Sequence, residues 1–215
     1  CGICPTTITQ SVEVLTAACS NVAEVCDSFH EGAQILGIHF EGPYLDQKFK
    51  GAQPEKYCVK PRVAEFAAYQ QAARGRIRII TLAPEHDDSF RLCSYCASHG
   101  VNVSLGHSGA SFEVARMALQ NGARSFTHVF NGMSPFNHRA NGMVGAALVS
   151  DESYSELICD GLHTTIAAIQ LFFKCKPKEK AIMISDSLMA KNRPAGERML
   201  FGGQEIEICE DGACR

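Results

Sequence analysis

Short apolar runs rich in β-branched residues recur along the chain, and segments of helical periodicity separate most of them. Residues 12–26 carry apolar side chains at three- and four-residue spacing, which predicts a helix, and we predict further helices at 63–73, 87–98, 112–120 and 164–174. The apolar runs predict strands at Ile3–Ile8, Ile35–Phe40, Ile77–Leu82, Val101–Leu105, Ser125–Phe130, Tyr154–Cys159 and Ala181–Ser185. This alternation of strand and helix predicts a parallel α/β fold.

The polar residues at the ends of these runs distinguish between two parallel architectures. In an open, doubly wound sheet only the strands beside the switch point converge, whereas in a (β/α)8 barrel all the carboxyl ends meet at one mouth. Six polar side chains lie at or just past the end of separate runs: Glu41, Glu85, His107, His128, His163 and Asp186. The pattern therefore favours a (β/α)8 TIM-type barrel.

The barrel is expected to be incomplete in this sequence. A full barrel needs eight strands and typically about 250 residues, whereas this chain has 215 residues and begins with Cys1 inside a strand-like run. We expect residues 1–200 to form a partial barrel that lacks its first strand. Residues 201–215 should form the start of a C-terminal hairpin or edge segment.

Composition and charge exclude several classes of protein. A hydrophobic content of 46%, a charged content of 20% and a net charge of -3 are typical of a folded globular chain. There is no basic excess that would favour nucleic acid or an anionic membrane as a partner. No apolar run approaches the roughly 18 residues of a membrane span, and no secretory leader is recognisable. We therefore expect a cytoplasmic protein.

The cysteines are expected to be reduced. Eleven of them, an odd number, are scattered through the chain, and several lie within apolar periodic segments. Cys1 with Cys4, and Cys93 with Cys96, have a two-residue spacing that would suit zinc or redox chemistry if the pairs met in space. Because one pair lies in a predicted strand and the other in a predicted helix, packing in or near the core is the preferred interpretation.

Glu41, His107 and His128 form the set of residues with the clearest chemical meaning. A carboxylate and two imidazoles that follow separate strands can bind a divalent metal at the barrel mouth and leave a position open for water. Each histidine alone would more often be an ordinary strand-end residue bonded to a backbone carbonyl, but the three together favour a metal site. Zinc is the preferred ion, with iron, manganese and cobalt as alternatives.

Asp186 follows the last apolar run and adds a carboxylate at the same mouth. It could take a proton from a metal-activated water and later pass that proton to a leaving group. The alternative is that Asp186 caps the loop or helix that follows it.

Six motifs occur in order along the chain: GIHFEGPYL at 37–45, KGAQ at 50–53, GHS at 106–108, THVFNGM at 127–133, DGLH at 160–163 and SD at 185–186. Together they resemble the N-acetylglucosamine-6-phosphate deacetylase family, which belongs to the amidohydrolase superfamily of metal-dependent barrels. The resemblance extends over essentially the whole chain, from residue 3 onward.

The resemblance implies hydrolysis of the acetamide of N-acetylglucosamine 6-phosphate to glucosamine 6-phosphate and acetate. It implies that Glu41, His107 and His128 are metal ligands that hold one or two divalent ions per chain, and that Asp186 is the catalytic acid and base. The residues implied to hold the amino sugar phosphate are Ala52, Gln53, Asn131, Gly132, Arg139 and His163. Arg139 suits a phosphate because a guanidinium offers paired donors, although a solvated loop cation is an alternative for it.

The resemblance also implies a homodimer and a small β-domain beside the barrel. The sequence departs from the family pattern at Gln53, where some members carry histidine, and at Gly132, where others carry alanine. Two further functions are kept as alternatives. One is another amidohydrolase that acts on a cyclic amide or a different N-acyl compound, and the other is a non-catalytic barrel that binds a sugar phosphate.

Overall fold

Six parallel strands form the main sheet of the computed structural model, which describes residues 1–28 and 31–214. These strands, β3 to β8, follow one another across the sheet in the order of the chain. The strands are β1 Gly2–Ile3, β2 Gln34–Ile35, β3 Ile38–Glu41, β4 Ile77–Leu82, β5 Asn102–Leu105, β6 Ala123–Phe126, β7 Tyr154–Ile158, β8 Ala181–Ile184, β9 Arg198–Phe201 and β10 Gln204–Glu207. The protein thus has an α/β fold with a curled parallel sheet, as the alternating pattern predicts.

In the described part of the chain, six α-helices connect or flank the strands. They are α1 Val12–Ser28, α2 Val63–Ala72, α3 Arg91–Ser98, α4 Phe112–Gln120, α5 Gly142–Val149 and α6 Ile166–Cys175. Short 3-10 turns occupy Glu55–Tyr57, Pro84–His86, Asp88–Phe90 and Lys178–Lys180. None of the helices within the two described ranges is long and apolar enough to cross a bilayer.

The strand predicted at Ile3–Ile8 is present only as an interrupted ladder of hydrogen bonds. Thr7 N donates to His39 O and His39 N donates to Pro5 O, both at 3.0 Å, so this segment runs alongside β3. Pro5 has no N–H to donate, and the regular ladder here is confined to the pairing of β1 with β2.

Two helices differ from the sequence prediction. The predicted helix at 87–98 begins only at Arg91, because the Asp87 carboxylate accepts hydrogen bonds from Leu92 N (3.0 Å) and Cys93 N (2.8 Å). The predictions did not include α5, which is buried on nearly every side and therefore has no polar face to give it a helical period.

The two faces of the sheet differ in chemistry. Phe40 of β3 packs against Phe66 and Tyr69 of α2, with ring centroids 6.0 and 5.0 Å apart. Since alternate side chains of a strand point to opposite faces, His39 and Glu41 lie on the inner face. That face carries a buried polar chain in which His39 Nε2 lies 2.7 Å from Thr81 Oγ1, and Thr81 Oγ1 lies 2.7 Å from Thr127 Oγ1. The sheet therefore packs apolar side chains against its helices and presents polar groups inside.

Lys176 ties the end of α5 to the chain that follows α6. Its side chain is buried, and its Nζ donates to Ala147 O at 3.0 Å, to Ser153 Oγ at 3.1 Å and to Ser150 O. Replacing Lys176 with methionine would remove three hydrogen bonds and leave Ala147 O without this buried donor, whereas Ser150 O would keep its bond from Ser153 Oγ at 3.3 Å. We therefore expect the free energy of unfolding to fall by about 2–3 kcal/mol.

Urea denaturation measures this loss, and Lys174→Met serves as the control because Lys174 is exposed on α6. Equal stability of the two variants would contradict a structural role for Lys176.

Candidate metal centre

Three donor atoms converge at the carboxyl ends of β3, β5 and β6. Glu41 Oε1 lies 3.2 Å from His107 Nε2 and 3.1 Å from His128 Nε2, and the two Nε2 atoms are 3.1 Å apart. All three side chains are buried. The three residues that the sequence predicts as metal ligands therefore lie together.

The local backbone conformation directs both histidine side chains into the site. Each follows its strand by two residues and has a left-handed backbone, with φ of 48° at His107 and 31° at His128. Residues other than glycine rarely adopt the left-handed region of backbone conformation, and residues strained in this way are concentrated at functional sites.

The donor triangle fits a divalent ion. Bonds of about 2.0–2.2 Å to a central ion separate neighbouring ligands by roughly 3.0–3.5 Å, depending on coordination geometry. The observed separations of 3.1–3.2 Å agree with this range. His107 Nδ1 donates to Phe49 O at 2.9 Å, which leaves the Nε2 lone pair of the neutral ring facing the other donors. Nitrogen and oxygen donors of this kind suit zinc, iron, manganese or cobalt.

The electrostatics of the site also favour a cation. Burial raises the pKa of Glu41, but the hydrogen bonds and charges of His107 and His128 outweigh burial and hold that pKa well below its ordinary value. Burial lowers the pKa of His128, whereas Glu41, Asp186 and Glu156 raise it, with a net value of about 9. The carboxylates thus stabilise positive charge at the position of the His128 ring, which is the property that a metal centre needs.

Asp186 lies two residues beyond β8, at the same end of the sheet, and is exposed. Burial lowers the pKa of His39, and the charge of Asp186 opposes that shift, as it also opposes the effect of burial on the pKa of His128. Asp186 is therefore within electrostatic reach of the donor triangle. It is not one of the three converging donors. A carboxylate beside a candidate metal centre is available to exchange protons there.

Three of the residues predicted to hold the sugar phosphate are buried or half-buried: Gln53, Asn131 and Gly132. Gly132 packs on the His107 ring, because a Cβ at this position would stand 2.9 Å from His107 Nδ1. Gln53 is buried and its Oε1 accepts from Thr9 N at 2.7 Å, which leaves the amide nitrogen as the group that could donate to a ligand. Asn131 is half-buried, and its Nδ2 has no hydrogen-bond partner among the described residues.

The remaining predicted residues are exposed. His163 Nδ1 donates to Asp160 Oδ2 at 2.6 Å, so its Nε2 is free to meet a ligand. Ala52 and Arg139 lie in loops, and the main-chain N of Arg139 donates to Asn137 Oδ1 at 3.1 Å.

Sequence reasoning did not single out Glu156, a buried carboxyl group in β7. Burial raises its pKa to about 7 even though the charge of His128 lowers it. An acidic residue in the middle of an apolar strand was the available signal. His86 was not singled out either, and its Nε2 bonds to the Asp46 carboxylate at 2.8 Å.

The fold and the donor set define an α/β protein with a candidate metal centre at the carboxyl ends of parallel strands. Comparison with known proteins identifies the relatives more closely. The chain is 40% identical over 206 residues to N-acetylglucosamine-6-phosphate deacetylase of Bacillus subtilis, covering 94% of this chain and 52% of that protein. It is 35% identical over 204 residues to N-acetylgalactosamine-6-phosphate deacetylase of Escherichia coli O157:H7, covering 95% and 54%.

Solved structures agree. N-acetyl-D-glucosamine-6-phosphate deacetylase of Mycobacterium smegmatis, solved as a mutant in complex with N-acetyl-D-glucosamine-6-phosphate, matches with a TM-score of 0.91 and 28% identity over 99% of this chain and 54% of that one. The Pasteurella multocida enzyme matches with a TM-score of 0.85 and 34% identity over 96% and 53%. No family model matches the chain.

The resemblance inferred from the six motifs is therefore confirmed: the chain is a homologue of the N-acetylglucosamine-6-phosphate deacetylases. It spans about half the length of the curated relatives it matches.

Proposed function

We propose that this chain carries the metal centre of a deacetylase that hydrolyses N-acetylglucosamine 6-phosphate to glucosamine 6-phosphate and acetate. The observation that carries the proposal is the buried triangle of Glu41, His107 and His128, with sides of 3.1–3.2 Å. It occurs in a chain whose relatives are named for this activity.

Glu41, His107 and His128 would hold a divalent ion, with zinc preferred and iron, manganese or cobalt as alternatives. When bound, such an ion supplies Lewis acidity toward the acetamide carbonyl and lowers the pKa of water from 15.7 toward about 7. The Asp186 carboxylate takes the proton of the attacking water and then delivers it to the departing amine nitrogen. The three donors account for one ion, and a second ion would need donors outside them.

The substrate is held by groups around the same mouth. His163, fixed through its Nδ1 by Asp160, presents Nε2 to the carbonyl or to a sugar hydroxyl. Gln53 and Asn131 offer amide donors, while Ala52 and Gly132 let backbone groups approach the sugar. Arg139 supplies paired donors to the 6-phosphate.

The curled sheet is proposed to be part of a (β/α)8 barrel. The outer side of β8 has no strand partner among the described residues, and Met183 on that strand is 70% exposed. A further parallel strand would cover this edge and close the barrel. A homodimer and a cytoplasmic location belong to the same proposal.

The test of the proposed substrate is a panel of N-acetyl compounds. We expect acetate release from N-acetylglucosamine 6-phosphate, and a kcat/KM lower by roughly 10- to 150-fold for N-acetylglucosamine without its phosphate, since charged hydrogen bonds contribute about 1.5–3 kcal/mol. Arg139→Met should lose most of this discrimination, whereas Arg116→Met, which alters an exposed arginine on α4, should keep it.

Equal rates with and without the phosphate would contradict the role of Arg139. Release of acid only from another N-acyl compound or a cyclic amide would indicate a different amidohydrolase. Binding of the sugar phosphate without turnover would indicate a non-catalytic barrel.

A second candidate substrate is N-acetylgalactosamine 6-phosphate. Two of the relatives, from Escherichia coli O157:H7 and a Shewanella strain, are named for it at 35% and 36% identity. The same panel decides between the two sugars through the ratio of their kcat/KM values.

A further inference from the structure

A second cluster of acidic and imidazole groups lies beside the donor triangle. Atoms of Asp46, Glu85 and His86 approach within 4.8 Å of one another, and all three residues are half-buried. Each oxygen of Glu85 accepts a hydrogen bond from the loop after β5, Oε2 from Ser108 Oγ at 2.6 Å and Oε1 from Gly109 N at 2.7 Å. These bonds favour a structural connection between loops over a second ion site.

Asp46 is also held by hydrogen bonds to its neighbours. Its Oδ1 accepts from Lys48 N at 2.8 Å and from Phe49 N at 3.2 Å, which closes a tight turn over residues 46–49. Its Oδ2 accepts from His86 Nε2 at 2.8 Å. The turn is therefore fixed both from within and from the loop that follows β4.

The 46–49 turn makes two hydrogen bonds with His107. Phe49 O accepts from His107 Nδ1 at 2.9 Å, and Asp46 N donates to His107 O at 2.9 Å. Gly132 lies against the bond between His107 Nδ1 and Phe49 O, because a Cβ there would stand 2.9 Å from the first atom and 2.8 Å from the second. The orientation of the His107 ring thus depends on where the 46–49 turn holds the Phe49 carbonyl.

We infer that Asp46 and His86 are positioning residues for the metal ligand His107, and that they act through the main-chain carbonyl of Phe49. The inference rests on the proposed metal centre. A carbonyl that accepts from Nδ1 fixes both the rotation and the tautomer of an imidazole, so that Nε2 keeps its lone pair toward the ion. Loss of the Asp46 carboxylate releases the turn, and His107 then samples orientations that do not bind.

The test is metal affinity in the full-length protein. Zn²⁺ or Co²⁺ is titrated against a chromophoric chelator for wild type, Asp46→Ala and Asp46→Asn, with Asp88→Ala as an exposed carboxylate control. Loss of such outer groups typically weakens metal binding 10- to 100-fold. We expect that weakening in Asp46→Ala, a smaller one in Asp46→Asn, which keeps an oxygen for the turn, and none in Asp88→Ala.

A second variant keeps the inference testable if Asp46→Ala does not fold. His86→Gln removes the imidazole but leaves the turn its internal hydrogen bonds, and we expect it to weaken metal binding several-fold while excess metal restores turnover. Asp46 and His86 variants that melt at lower temperature yet keep wild-type Kd for the ion would overturn the inference.

The remaining outcomes separate this inference from the proposal on which it rests. A wild-type protein that binds no metal would refute the metal centre itself. A wild-type protein that binds two ions, of which only one is lost in Asp46→Ala while the other keeps its Kd, would make the cluster an ion site and overturn the positioning role.

Discussion

Replacing Glu41 with glutamine is expected to strip the metal ion from the protein and to abolish acetate release. Glu41 is the one anionic donor of the triangle, and its Oε1 lies 3.1 Å from His128 Nε2 and 3.2 Å from His107 Nε2. Removing one partner of a buried charge pair costs about 3–5 kcal/mol, or roughly 150- to 5,000-fold in affinity for the cation. Metal content after dialysis, together with acetate release, measures the effect.

Glu113→Gln is the matched control for this substitution. It removes the same charge from the first turn of α4, so metal content and turnover should stay at wild-type levels. A Glu41→Gln protein that is folded and still retains one ion per chain would show that the ion lies elsewhere.

Replacing Asp186 with asparagine is expected to have the second-largest effect, and it should separate catalysis from metal binding. Asparagine keeps the size of the side chain but cannot take up the proton of the attacking water, and general base catalysis contributes about 10²- to 10⁴-fold. We therefore expect kcat to fall by that factor while metal content stays unchanged, because Asp186 is not among the three converging donors.

Single-turnover acetate release measures the loss. Asp88→Asn, an exposed aspartate after β4, is the control and should keep wild-type kcat. Undiminished turnover in Asp186→Asn would remove Asp186 from the reaction, and loss of metal together with kcat would make it a ligand instead.

Much of the fold could be predicted from the sequence because local signals and tertiary packing agree. β4 is a β-branched apolar run with the predicted bounds, and α4 begins after Ser111, whose hydroxyl accepts from Val114 N as an N-cap. The prediction failed where burial removed the pattern. The helix α5 has no polar face and so no period, and the start of α3 depends on a carboxylate cap that spacing alone does not reveal.

The residues of the candidate metal centre were predictable for a related reason. Glu41, His107 and His128 follow apolar runs, and the carboxyl ends of parallel strands converge, so their side chains could be expected to meet. What surrounds them was not predictable. The acceptor that orients His107 is the main-chain carbonyl of Phe49, which has no signature in a sequence, and its position depends on contacts between separate loops.

The most direct test of the central claim is metal content measured together with acetate release from N-acetylglucosamine 6-phosphate. It should be made on the 215-residue chain and on a chain extended at both ends to the length of its relatives. The proposed centre predicts that the extended protein holds at least one divalent ion per chain, releases acetate, and loses both on chelation. A folded, extended protein that releases acetate at full rate after the metal has been removed would contradict the claim.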